Sequence, residues 1–70
     1  MKKHSVNIHG HQTSITLENE FWLALKDEAN KEGVSTNTLI GRIDDNRGDH
    51  NLSSAIRLYI LQKLQERLTA

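Results

Sequence analysis

The stretch His11–Trp22, HQTSITLENEFW, decides the fold. Its first half alternates polar and apolar residues, so Ile15 and Leu17 share one face of a strand while Gln12, Ser14 and Thr16 share the other. Its second half opens an amphipathic helix in which Phe21, Trp22, Leu25 and Ala29 recur at helical spacing. A lone strand leaves its backbone donors and acceptors unpaired, so this one requires a partner. Upstream, Val6 and Ile8 also alternate, but at even positions, whereas Ile15 and Leu17 are odd. One flat strand over the region 5–17 cannot bury both pairs on one face. The pleat must break, and Gly10 is the place for a bulge or bend.

The rest of the chain reads as three helices. Asn19 stands at the cap position of a first helix over about 19–32, with Glu20 at the positive end of its dipole and Gly33 ending it. Ser35 or Thr36 caps a short second helix over about 36–46, which turns Leu39, Ile40 and Ile43 inward. DDNRGDHN, residues 44–51, has no apolar side chain and reads as a loop. Asn51 or Ser53 then caps a third helix over about 52–68. Its apolar residues, from Leu52 and Ala55 through Ile56, Leu58, Tyr59, Ile60, Leu61, Leu64 and Leu68, cover more than one stripe. Burial from two sides is expected, the second side being another subunit. No internal repeat, low-complexity tract or linker interrupts residues 1–70, which read as a single domain.

Composition bounds the function. Seventy residues with 36 % hydrophobic content make a core so small that oligomerisation is the expected remedy. The absence of cysteine excludes disulfides and thiolate–metal sites and points to an intracellular, cytoplasmic protein. No apolar run approaches the ~18 residues of a membrane span, and no apolar signal segment follows Met1-Lys2-Lys3, so no membrane partner is expected. Lysine plus arginine equals aspartate plus glutamate at nine each, so net charge gives no argument for nucleic acid. Distribution does: residues 1–17 carry Lys2, Lys3, His4, His9 and His11 and no acid, whereas residues 18–35 carry five acids against Lys26 and Lys31. The chain is polarised beneath a neutral total.

The order of strand, helix, Gly-x-Ser turn and helix, gapless from Gln12 to about Ile43, resembles the ribbon-helix-helix repressors of the Arc and MetJ type. More narrowly, GHQTSITLENEFWLALKDEA, then LI with IDDNRG and NLSSAIRLYIL, is similar to a bacterial family of short ribbon-helix-helix domain proteins over residues 5 to about 62. The resemblance implies a mainly α fold with a short N-terminal β-ribbon, an intertwined homodimer, and strands of two subunits paired antiparallel in the major groove of double-stranded DNA. Gln12, Ser14 and Thr16 would read bases. At Gln12 the family often has arginine, so an amide fork would replace a guanidinium fork. Phosphates would rest on the turn before the second helix, at Val34, Ser35, Thr36 and Asn37, with Lys2, Lys3 and His11 adding charge. Ile15, Leu17, Phe21, Trp22, Ile56, Tyr59 and Ile60 would form the dimer core. One departure is that the second helix is interrupted by the loop and followed by LSSAIRLYILQKL, itself similar to a family second helix. Either a third helix is appended, or residues 36–50 are inserted and Asn51–Ser54 is the anchoring turn; the gapless spacing to Gly33 favours the former.

Competing readings stand beside these. Gln12, Ser14 and Thr16 fit the wet face of any antiparallel sheet. Phe21 and Trp22 could stack on bases, but their phase with Leu25 makes them core. His9 and His11, two apart, would share a face of a regular strand, yet lack a neighbouring cysteine or carboxylate; surface or phosphate-facing roles are expected, with no metal and no cofactor, and a metal-responsive switch through His9 and His11 is the minor alternative. Arg47, Asp49 and His50 offer acid–base groups in a polar loop without a nucleophile or pocket, so no enzyme is expected. Arg57 fits either a snorkelling surface arginine or an ion-pair or phosphate contact. The sequence thus predicts a DNA-binding transcriptional regulator, a repressor in type. The alternative is an interaction module, antitoxin-like or adaptor, with a protein partner on the third helix.

Overall fold

The structure, a computed structural model, describes residues 1–69. Two strands, β1 (Lys2–Ile8) and β2 (His11–Leu17), precede three helices, α1 (Asn19–Glu32), α2 (Thr36–Asp45) and α3 (Leu52–Thr69). The fold class is therefore mainly α behind a two-stranded antiparallel ribbon.

The ribbon corrects one expectation. The pleat does not bend within one strand at Gly10; the chain reverses. His9 and Gly10 both take positive φ, 53° and 80°, which makes the two-residue turn whose twist suits a hairpin. β2 then pairs with β1 of the same chain, in the register Ile8 opposite His11, Val6 opposite Thr13, His4 opposite Ile15 and Lys2 opposite Leu17. An even residue always faces an odd one, so Val6 and Ile8 lie on the same face as Ile15 and Leu17, and all four are buried. The phase conflict is the signature of the hairpin.

Local chemistry sets the helix ends. α1 starts behind Glu18, which makes no side-chain cap, so Asn19 is the first helical residue instead of the cap. It ends where Gly33 enters the left-handed region at φ 70°, and Val34 N–H closes back on Ala29 O at 3.0 Å. At α2, Ser35 Oγ accepts from Thr38 N–H at 3.1 Å; at α3, Asn51 Oδ1 accepts from Ser54 N–H at 2.8 Å. Asp44 and Asp45, expected at the start of the loop, close α2. Arg47 orders the loop itself by donating to Asp44 at 2.7 Å and to His50 O at 2.7 Å.

The hairpin's inner face lies on the helices, α2 beneath β1 and α3 beneath β2. Leu17, Leu25, Leu39, Ile40, Ile56 and Ile60 are the largest fully buried side chains. Each such burial contributes about 1.5–3 kcal/mol, and together they offset the ordering of a short chain. Phe21, Trp22 and Tyr59 pack against this core from its margin, and Trp22 stacks on His4 with ring centroids 3.8 Å apart. Ile15, Leu17, Ile56 and Ile60, expected in a dimer core, are covered by the chain's own elements.

Within the single chain α3 buries one side only, through Ala55, Ile56 and Ile60. Leu58, Leu61, Leu64 and Leu68 remain 42 %, 48 %, 46 % and 86 % exposed. Long-range ion pairs hold α3 in place. Arg57 Nε donates to Glu18 at 2.8 Å, and this hydrogen bond holds the Glu18 carboxyl below its ordinary range. Arg67 pairs with Glu28, which is buried. Tyr59 donates to Glu32; burial first, then that bond, pushes its hydroxyl up to about 12.

Candidate nucleic-acid interface

The hairpin's outer face carries six side chains in three cross-strand pairs: Lys3 with Thr16, Ser5 with Ser14, and Asn7 with Gln12. All six are exposed. None is acidic and none is apolar, so the face offers amides, hydroxyls and one ammonium. Asn7 and Gln12 stand side by side next to the turn, and each amide presents a donor and an acceptor in the fork that matches adenine N7 and N6. The hydroxyls of Ser5, Ser14 and Thr16 donate or accept freely. Lys3 supplies charge at the open end.

Gln12, Ser14 and Thr16 thus lie together as expected, and Lys3 joins them. Ser5 and Asn7, not expected there, share the same face. Their signal was the parity of the register, available once His9-Gly10 is read as a two-residue turn. Lys2 and His11 have the opposite parity and belong to the inner side of the sheet, at its open end and beside the turn respectively. They do not share the face of Gln12.

The turn before α2 is partly brought in. Asn37 and Thr38 border a groove with Asn7 and His9, so the first turn of α2 lies along the β1 side of the ribbon. Ser35 Oγ takes Thr38 N–H itself, which leaves the amides of Thr36 and Asn37 as the helix-start donors without an intrahelical partner. Val34 drops out of the expected phosphate set. Its N–H is bonded to Ala29 O at 3.0 Å and its side chain leans on the core.

β2 has an open edge. Because Ile8 and His11 flank a two-residue turn, they form a hydrogen-bonded pair, and the bonded pairs alternate from there. The backbone groups of Gln12, Ser14 and Thr16 therefore point away from β1. Thr16 O accepts from Ser53 Oγ at 3.0 Å, which places the start of α3 against one end of that edge. In the loop, Arg47 donates to Asp44 and to the His50 carbonyl, which ties the loop to the end of α2. Arg57 is an ion-pair arginine, bound to Glu18.

A polar β-ribbon displayed on a helical base, with a helix start beside it, is the arrangement of the ribbon-helix-helix class. The chain belongs to the ribbon-helix-helix family: the family's domain model matches residues 1–64, from β1 through α2 and into α3. The family generally binds DNA, and does so as dimers. α3 is accordingly part of the matched domain up to residue 64. No curated protein and no solved structure matches the chain. Among the described residues, no helix is long and apolar enough to cross a membrane.

Proposed function

We propose that the protein is a homodimeric, sequence-specific DNA-binding regulator of transcription, a repressor in type, which reads the major groove with its β-ribbon. The observation that carries this reading is the outer face of the hairpin, where six exposed polar side chains stand in register without a carboxylate. A solvated face selected only for solubility has no reason to exclude acids in a chain with nine of them. Gln12, Ser14 and Thr16 read bases, with Asn7 and Ser5 beside them, and Gln12 and Asn7 favour adenine. Thr36 and Asn37 amides at the start of α2, together with Lys3, hold phosphates. Two copies join through the open edge of β2 at Gln12 and Ser14, which gives a continuous four-stranded ribbon and a two-fold site. On this reading the regulator acts in the bacterial cytoplasm, where its DNA lies.

The test is selection of bound duplexes from a random DNA pool at ~0.15 M salt, where ribbon contacts must survive counterion competition. The wild type is compared with a Gln12/Ser14/Thr16 triple alanine variant. A recovered palindrome that the variant loses supports the reading. No enrichment by a folded protein overturns it.

A second reading has its own observation. Leu58, Leu61, Leu64 and Leu68 leave an apolar strip along α3 in the single chain. A partner protein seated there would make the molecule an adaptor or antitoxin-like module. Substitutions on α3 would then abolish function while Gln12→Ala left it intact.

A further inference from the structure

The tip of the hairpin meets the end of α2 in a cluster of metal-binding character. His9 Nε2 lies 2.9 Å from Asp45 Oδ1 and 4.0 Å from Asp44 Oδ2. One donor atom from each of the three residues lies within 4.8 Å of the other two. We propose that His9, Asp44 and Asp45 form a binding site for a divalent transition-metal cation of the zinc type, which clamps the ribbon's turn to the C-terminal end of α2.

Geometry is the first support. Ligands at ~2.0–2.1 Å around a tetrahedral ion are about 3.3 Å apart, and the observed separations bracket that edge. Three protein donors leave the fourth tetrahedral position to water. The donors also come from two elements joined by no local sequence, so the cluster is a product of the fold. The imidazole separates it from an ordinary acidic helix end.

Orientation is the second. Arg47 Nε holds Asp44 Oδ1 at 2.7 Å, which leaves Oδ2 turned towards His9. Such outer partners fix ligands in most metal sites. The His9 ring packs along α2 at Gly41, its Cε1 3.7 Å from where a β-carbon would stand, so the ring is steered by the helix backbone. Charge is the third. Two carboxylates against one guanidinium leave a surplus negative charge, and they sit at the C-terminal end of α2, where the helix dipole also favours a cation.

The donor set chooses the ion. One nitrogen and two carboxylate oxygens suit zinc and its neighbours, whereas calcium takes six or more oxygens and magnesium prefers an octahedral oxygen shell. Binding takes neutral imidazole with its proton on Nδ1, so the close Nε2–Asp45 contact is replaced by the ion.

The test is calorimetric titration of the full chain with zinc chloride in a non-coordinating buffer, repeated with magnesium. Saturable binding of one zinc ion per chain is expected, with magnesium failing to compete. His9→Gly, which suits the positive φ of the turn, and Asp45→Asn should each weaken zinc by at least about tenfold, while His50→Ala leaves it unchanged. Circular dichroism of both variants verifies that the fold survives. In the wild type, zinc should also shift the His9 ring resonances in NMR spectra. Absence of saturable binding, equal binding of magnesium, or binding that persists in both folded variants overturns the proposal. The titration contains no DNA, so its failure leaves the DNA-binding reading untouched.

Discussion

The two faces of the hairpin are built from alternate residues of the same strands, yet they have opposite chemistry. On the inner face the apolar Val6, Ile8, Ile15 and Leu17 are buried, each opposite a polar residue of the paired strand. On the outer face Lys3, Ser5, Asn7, Gln12, Ser14 and Thr16 are exposed, and none is needed to hold the strands together. The difference teaches that stability and the proposed recognition separate here at the spacing of one residue. Whatever disturbs the inner face should cost stability; whatever disturbs the outer face should cost only binding.

The largest effect comes from the inner face. Leu17 is fully buried at the end of β2, against α3. Leu17→Ala should cost ~2–5 kcal/mol of unfolding free energy through lost transfer and a residual cavity. Urea denaturation followed by circular dichroism measures it, and a cost near zero would mean that the inner face is not the core.

Gln12→Ala is the counterpart on the other face. Stability should change by less than about 0.5 kcal/mol, because the side chain is exposed and makes no side-chain hydrogen bond among the described residues. Discrimination for the cognate base should fall by roughly 1–3 kcal/mol if the amide forks onto adenine. Competition binding with operator variants reads that loss. A stability loss without a change in base preference would collapse the separation of the two faces.

The turn sets which residues face which way, so it is the next place to press. Gly10 has φ 80°, and Gly10→Ala places a β-carbon in a conformation that costs about 1–2 kcal/mol. There is open space around it, so the penalty is purely one of backbone. The same denaturation experiment should show this loss, with Asn at position 10 recovering part of it.

That turn is also the least legible part of the sequence. The helix ends were legible because each is local: Gly33 in the left-handed region, Ser35 and Asn51 with side-chain oxygens on nearby amides. The mismatch between Val6/Ile8 and Ile15/Leu17 was legible too, but a bulge explains it as well as a reversal does. His-Gly is a weaker turn signal than Asn-Gly, and a histidine at positive φ is uncommon, so the hairpin is hidden in the sequence and the placement of Ser5 and Asn7 with it. The Arg57–Glu18 and Arg67–Glu28 pairs, like the meeting of His9 with Asp45, join residues far apart in the chain. Periodicity carries no information about such pairs.

The smallest effect concerns what fixes the ribbon's end on its base. Glu18 follows Leu17 directly and is tied to Arg57 of α3, whose hydrogen bond lowers the Glu18 pKa below its model-compound value of 4.5. A carboxyl whose folded-state pKa is depressed contributes stability above its unfolded pKa, and loses that contribution as pH falls through the folded value. The wild type should therefore lose this part of its stability only below about pH 4.5. Arg57→Met keeps the apolar stem and removes the guanidinium, so it should flatten that segment of the stability–pH curve. The pair is partly solvent-exposed, so the change will be small and screened by salt. Base preference should be untouched, since Arg57 contacts the ribbon's end and not its outer face. If Arg57→Met altered base preference as Gln12→Ala does, the end of the ribbon would be transmitting the position of α3 to the reading face, and the two faces would be coupled through the backbone that they share.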